Sequence, residues 1–140
     1  MQDKYWEELD EVVYRVLCRL TKLSMQTDNL KSRYKIVCNL WEAQYKGTDL
    51  YCELSEYDER IECFAKRVDA QLEASKHLKK LYAKLLESYD IELQKEIKTL
   101  AKYISFATKE LEHEIAWRYK KLNSVTLKFV DEDEKHYNNF

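Results

Sequence analysis

Four cysteines carry most of the reactive chemistry this 140-residue chain offers: Cys18, Cys38, Cys52 and Cys63, all in its first half. A thiol can bridge to another thiol, bind a metal as thiolate, attack a substrate, or fill a core as a small hydrophobe. No Cys-x-x-Cys pair occurs and no His lies near the cysteines, so a zinc site is not expected. An even count in a short chain permits two disulfides, with three possible connectivities. Residues on two antiparallel helices meet when their midpoint lies in the connecting turn. Cys18 and Cys38 have their midpoint at Asp28, and Cys38 and Cys52 have theirs at Tyr45. The first pairing leaves Cys52 to Cys63, across a bend at Ser55–Asp58. The second leaves Cys18 to Cys63, with the first helix folded back on the third. Two disulfides tying the first half together are expected, their connectivity open. The alternative is four reduced, buried thiols in a cytoplasmic protein.

Other chemistry is sparse. His77, His113 and His136 are far apart in sequence. Glu110-x-x-His113 has the spacing that carboxylate-bridged di-iron bundles use, but those need a second copy and two further Glu, and no second copy exists. A single Gly cannot build a phosphate-cradling loop. The chain is therefore expected to have no catalytic residue, no metal and no cofactor, and not to be an enzyme. Its eleven Tyr and three Trp are better explained by packing and recognition. Tyr103, Trp117 and Tyr119 fall off or beside the main apolar stripe, which makes them the candidates for contact with a protein partner.

Helices must position these residues. The stretch from Ile61 to Phe129 contains no Pro and no Gly. Its apolar residues recur at steps of three or four, with a step of six after Leu72 and of seven after Ile115. A step near 3.6 rather than a strict 3.5 favours a globular bundle over a long supercoil. One helix over 55–130 would run ~110 Å, against a radius of gyration of ~14 Å for a compact domain. A break is therefore expected at Ser88-Tyr89-Asp90. Upstream, Trp6, Leu9, Val16, Leu20 and Leu23 mark a first helix, acidic at its start and basic toward its end, as the helix dipole favours. Ser24–Asn29 reads as a turn, with Thr27 or Asp28 capping a second helix; a continuous helix from 3 to 46 is the alternative. Lys46-Gly47-Thr48-Asp49 is the clearest stop. The Ser55-x-x-Asp58 spacing is a capping-box signature, so the next helix starts at 49 or 55.

The expected fold is all-α: a compact antiparallel bundle of about four helices near 3–23, 29–46, 50–87 and 90–130, disulfide-linked in its first half. It forms one domain over 1–130, followed by a frayed acidic tail at 131–140. The chain is 45% hydrophobic and 36% charged, enough to build a core and a solvated surface. A net charge of −2 with interleaved signs gives no basic face, so nucleic acid is not an expected partner. No apolar run approaches the ~18 residues of a membrane span. MQDKYWEELD lacks the basic and apolar regions of a signal peptide. A protein partner is expected, and a monomer rather than a homodimer.

The residues also run in the order Cys18, Tyr34, Cys38, then Cys52, Tyr57, Cys63. This doubled arrangement resembles the BICYCLE family of aphid secreted effectors, which is defined by a pair of cysteine-tyrosine-cysteine motifs. The resemblance covers roughly a third of the chain and assigns Tyr34 and Tyr57 as motif tyrosines. It implies a secreted, disulfide-bonded, non-enzymatic protein that acts on host proteins through a rigid helical surface. A second likeness points elsewhere. Tyr34, Leu40, Trp41 and Ala43, followed by a turn and a long helix, look like the first hairpin of sorting-nexin-type BAR domains, which dimerise on curved membranes. The chain departs from them in being too short for a third long helix and in lacking a basic concave stripe, so a membrane partner is not expected. This likeness implies an intracellular helical scaffold or coiled-coil subunit with reduced cysteines.

Overall fold

A computed structural model describes the backbone of residues 2–138 and the side chains of residues 8–137. It is all-α, and among the described residues there are three helices, not four: α1 Gln2–Tyr45, α2 Asp49–Ser88 and α3 Ile91–Asn138. Each helix packs on the other two. Cross-helix pairs fix their directions. Glu53 of α2 meets Lys128 of α3 at 3.1 Å and Arg67 of α2 meets Glu114 of α3, so α3 descends as α2 climbs and the two are antiparallel; Lys31 of α1 meets Glu62 of α2 at 3.6 Å. Arg19 meets Glu112 at 2.6 Å and the Tyr119 hydroxyl reaches the Gln26 carbonyl, so α1 and α3 run parallel. At 1.5 Å per residue the rod is ~70 Å long, well beyond the expected compact shape.

The core explains the shape. On α1 the buried positions are Leu9, Val13, Val16, Leu20, Leu23, Thr27, Leu30, Tyr34 and Val37. Their steps alternate four and three without exception. This is a 3.5-residue seam of the coiled-coil kind, not the 3.6 drift expected of a globular bundle. On α3 the seam is Ile97, Ala101, Ile104, Thr108, Leu111, Ile115, Arg118, Leu122, Val125 and Phe129, with all but Arg118 buried. The long apolar steps are places where a polar residue holds the seam. Ser75 fills the step after Leu72, and Arg118 fills the step after Ile115. Ser75 is buried and donates to the Leu72 carbonyl at 2.7 Å. The Arg118 side chain is only 12% exposed. It lies 5.9 Å over the Phe64 ring and donates to Glu114 at 3.1 Å, so its stem packs while its charge stays paired.

The same device removes the turn expected at Ser24–Asn29. Thr27 is not a cap. It is a buried seam residue whose hydroxyl donates to the Leu23 carbonyl at 2.8 Å, one helical turn back. A hydroxyl satisfied within its own helix needs no break, and Leu23 and Leu30 on either side are fully buried, so α1 runs on unbroken. The remaining breaks lie where turn chemistry is strongest. Gly47 takes φ +88°, and the Thr48 side chain accepts from the Tyr51 amide at 3.2 Å to start α2 at Asp49. Tyr89 takes the left-handed conformation at φ 53°, and Asp90 accepts from the Glu92 amide at 3.0 Å at the head of α3. The tail expected to fray from 131 continues α3 to Asn138; residues 139–140 lie outside the described residues, as does the side chain of Trp6.

A continuous α1 makes a testable claim at an exposed position. In the two-helix alternative, Asp28 would be a first-turn residue behind a Thr27 cap, where Pro is welcome. In the helix interior, Pro removes a backbone bond and clashes with the preceding turn. Asp28→Pro is expected to destabilise the protein by about 3 kcal/mol or more in urea unfolding; an unchanged midpoint would restore the turn.

Candidate functional site

The cysteines do not converge. All four are free: Cys18, Cys52 and Cys63 are exposed, and Cys38 is half-buried. The expected pairing of Cys18 with Cys38 relied on a turn between them. On one straight helix they stand twenty residues apart, ~30 Å along the axis. Cys52 and Cys63 share α2 in the same way, ~16 Å apart. The register set by Lys31 and Glu62 puts Cys63 level with Leu30, ~18 Å from Cys18. Cys38 and Cys52 are close in level, but Cys52 faces solvent while Cys38 packs against the core. The expected disulfide linkage of the first half is thus replaced by separate thiols on two straight helices.

The motif tyrosines are structural. Tyr34 and Tyr57 are both buried seam residues of the core. Burial is the main force holding the Tyr34 hydroxyl protonated, and a hydrogen bond with Cys38 adds to it. Burial likewise pushes the Cys38 thiol above its ordinary range; the bond with Tyr34 opposes this, while Asp58 and Glu42 reinforce it.

The three partner-contact candidates separate. Tyr103 is 70% exposed and Trp117 is 46% exposed on the outer side of α3. Tyr119 turns inward instead: its hydroxyl donates to the Gln26 carbonyl at 2.7 Å, and Arg33 of α1 covers its ring at 5.4 Å. It ties α3 to α1 and is no surface anchor. Two residues on the outer face are absent from the sequence-based candidates, Phe106 (68% exposed) and Leu127. They carry a legible signal. Tyr103, Phe106, Glu110, His113 and Trp117 repeat the seam's alternation of four and three, two residues out of phase with the core. Trp117 is flanked by cations, with Lys121 at 5.5 Å and Arg118 at 5.7 Å from its ring, a setting that favours cation–π contact.

The inner flanks of α3 differ from this face in their charge pairing. Glu112 is paired with Arg19, and Glu114 with both Arg67 and Arg118. Burial alone would raise the Glu114 carboxyl, but hydrogen bonds from Arg67 and Arg118 outweigh it and hold the group below its ordinary range. Outward-facing Glu110 and His113 engage no hydrogen bond or ion pair among the described residues. An open groove of about 670 Å³ lies between α1 and α2, lined by Val13, Tyr14, Leu17, Cys18, Met25 and Tyr82 among others. Among the described residues, no group of three or more His, Cys, Asp or Glu is placed to hold a metal, and no helix is long and apolar enough to cross a membrane. No family model, curated protein or solved structure matches the chain.

Thiol reactivity follows from these positions. The thiolate is the reactive form, so a raised pKa and partial burial both slow attack. In protein purified without reductant, iodoacetamide is expected to add to all four cysteines, with Cys38 modified last by peptide mass spectrometry. A chain lighter by two or four hydrogens that resists alkylation until reduced would reinstate the bridges.

Proposed function

We propose that the protein is a non-enzymatic recognition module: a rigid three-helix rod that offers the outer face of α3 to a protein partner. The observation that carries this reading is the set Tyr103, Phe106 and Trp117, three aromatic side chains on the solvent side of a helix whose core is already complete. Aromatic rings on a stiff element give large contact area at little entropic cost, which is why Tyr and Trp dominate binding hot spots. The rings at Tyr103 and Phe106 stand largely in solvent, outside the core cluster. The doubled cysteine-tyrosine-cysteine order supports placing this module in a secreted effector. The second reading is an intracellular helical scaffold or coiled-coil subunit with reduced cysteines. It is favoured by the four separate thiols and by the 3.5-residue seam.

Photocrosslinking tests the surface whatever the partner's identity. A photoreactive phenylalanine placed singly at 103, 106 or 117, in the cells that make the protein, is expected to give one discrete adduct. The same probe at Glu59 or Lys66, both exposed on the outer side of α2, should give none. Equal labelling from both faces, or labelling from neither, would contradict the assignment.

A further inference from the structure

We propose that the occupant of the outer α3 face is a second copy of this chain, docked antiparallel about a two-fold axis between Glu110 and His113. This rests on the recognition reading above and names its partner. A C2 interface must be self-complementary, each residue meeting its mirror position. The stripe Tyr103, Phe106, Glu110, His113, Trp117 and Lys120 has steps of four and three that read the same from either end. Turned end for end on itself, it sets Phe106 against the partner's Trp117 and Tyr103 against the partner's Lys120. At the centre it sets Glu110 against the partner's His113, twice. These central groups are exposed and have no partner among the described residues.

The flanks agree. Beside the stripe, Lys109 meets the partner's Ala116 and Ala107 meets the partner's Glu114, so no like charges face each other and small residues let the helices approach. Farther out, Glu92 would face the partner's Asp131, which ends the contact near residues 96–127. A parallel arrangement in register would instead set Glu110 on the partner's Glu110 and Lys120 on the partner's Lys120, juxtapositions that cost binding energy. The stripe is ~48 Å long and ~10 Å wide, smaller than the ~800 Å² per partner of a standard interface. The dimer is accordingly weak and concentration-dependent.

Sedimentation of the full chain over a dilution series tests this. The expected mass is twice the 17.0 kDa of the chain at high concentration, falling to that of the monomer on dilution. His113→Glu places carboxylates opposite each other at both central contacts and should weaken association about tenfold or more. Adding Glu110→Lys to it restores an opposite-charge pair and should recover the affinity. Phe106→Ser should abolish the dimer with helicity by circular dichroism unchanged. A monomer at every concentration overturns the proposal; α3 adducts with other proteins would then leave the recognition reading standing. A dimer indifferent to His113→Glu and Phe106→Ser, or one that the double substitution fails to rescue, places the interface elsewhere and equally overturns it.

Discussion

The rod depends on a single geometric constraint: α1 and α3 keep buried seams whose steps alternate four and three, and α2 keeps the same alternation from Leu54 to Val68 before its buried positions close up to steps of three at Ser75, Leu78 and Leu81. With that spacing a slightly underwound helix keeps one line of side chains on its neighbours over its whole length. With a drift of 3.6 the line would rotate away after a few turns. The seam therefore sets the shape. Forty-four residues of α1 can stay in contact with α2 and α3 without bending, so nothing requires the chain to fold into shorter pieces. The charged flanks then fix the register. Arg19 with Glu112 and Ser105, Lys31 with Glu62, and Lys128 with Glu53 join different pairs of helices at different heights. Exposed ion pairs add little energy singly; their distribution along the rod opposes sliding of one helix past another.

The helical class, the stop at Gly47 and the break at Tyr89 were legible because each has a strong local cause. A lone Gly ahead of a capping Thr, and Ser-Tyr-Asp interrupting an apolar run, are signals of backbone chemistry. The number of helices was harder to read, because polar residues occupy seam positions. Thr27, Ser75 and Thr108 are buried, and each donates its hydroxyl to a carbonyl in the preceding turn, at 2.8, 2.7 and 2.6 Å. In sequence such residues look like caps or gaps in a stripe. Whether a Thr caps a helix or sits inside one is decided by what covers it, and only the other two helices supply the cover. Counting Arg118 as a seam residue turns the step of seven after Ile115 into a regular three and four, and Ser75 divides the step of six after Leu72 into two steps of three.

The cysteines mislead for a related reason. Pairing Cys18 with Cys38 depends on a turn between them, and it falls with the turn. Once α1 is straight, the two thiols mark distant heights of the rod. The tyrosine between them, Tyr34, is core, not ornament. The outer face of α3 was partly legible: Tyr103 and Trp117 stand out as aromatics off the stripe. Tyr119 looks similar but sits at the edge of the seam, where Gln26 and Arg33 claim it. Phe106 is inconspicuous because a single apolar residue off the stripe is ordinary. Its meaning emerges only when its spacing to Tyr103 and Trp117 is measured against the core's own period. One repeat thus organises two surfaces of α3, the inner one that closes the bundle and the outer one that carries the exposed rings.

Spin labels report on the unbroken first helix most directly, because its own cysteines are suitably placed. In a Cys52→Ser, Cys63→Ser variant labelled at Cys18 and Cys38 and diluted into an excess of unlabelled protein, so that distances between copies drop out, pulsed electron resonance should give a single distance centred near ~30 Å, the rise of twenty helical residues. A distribution centred near ~10 Å, the spacing of adjacent packed helices, would show the first helix folded back on itself and contradict the seam, the register and the separation of the thiols together.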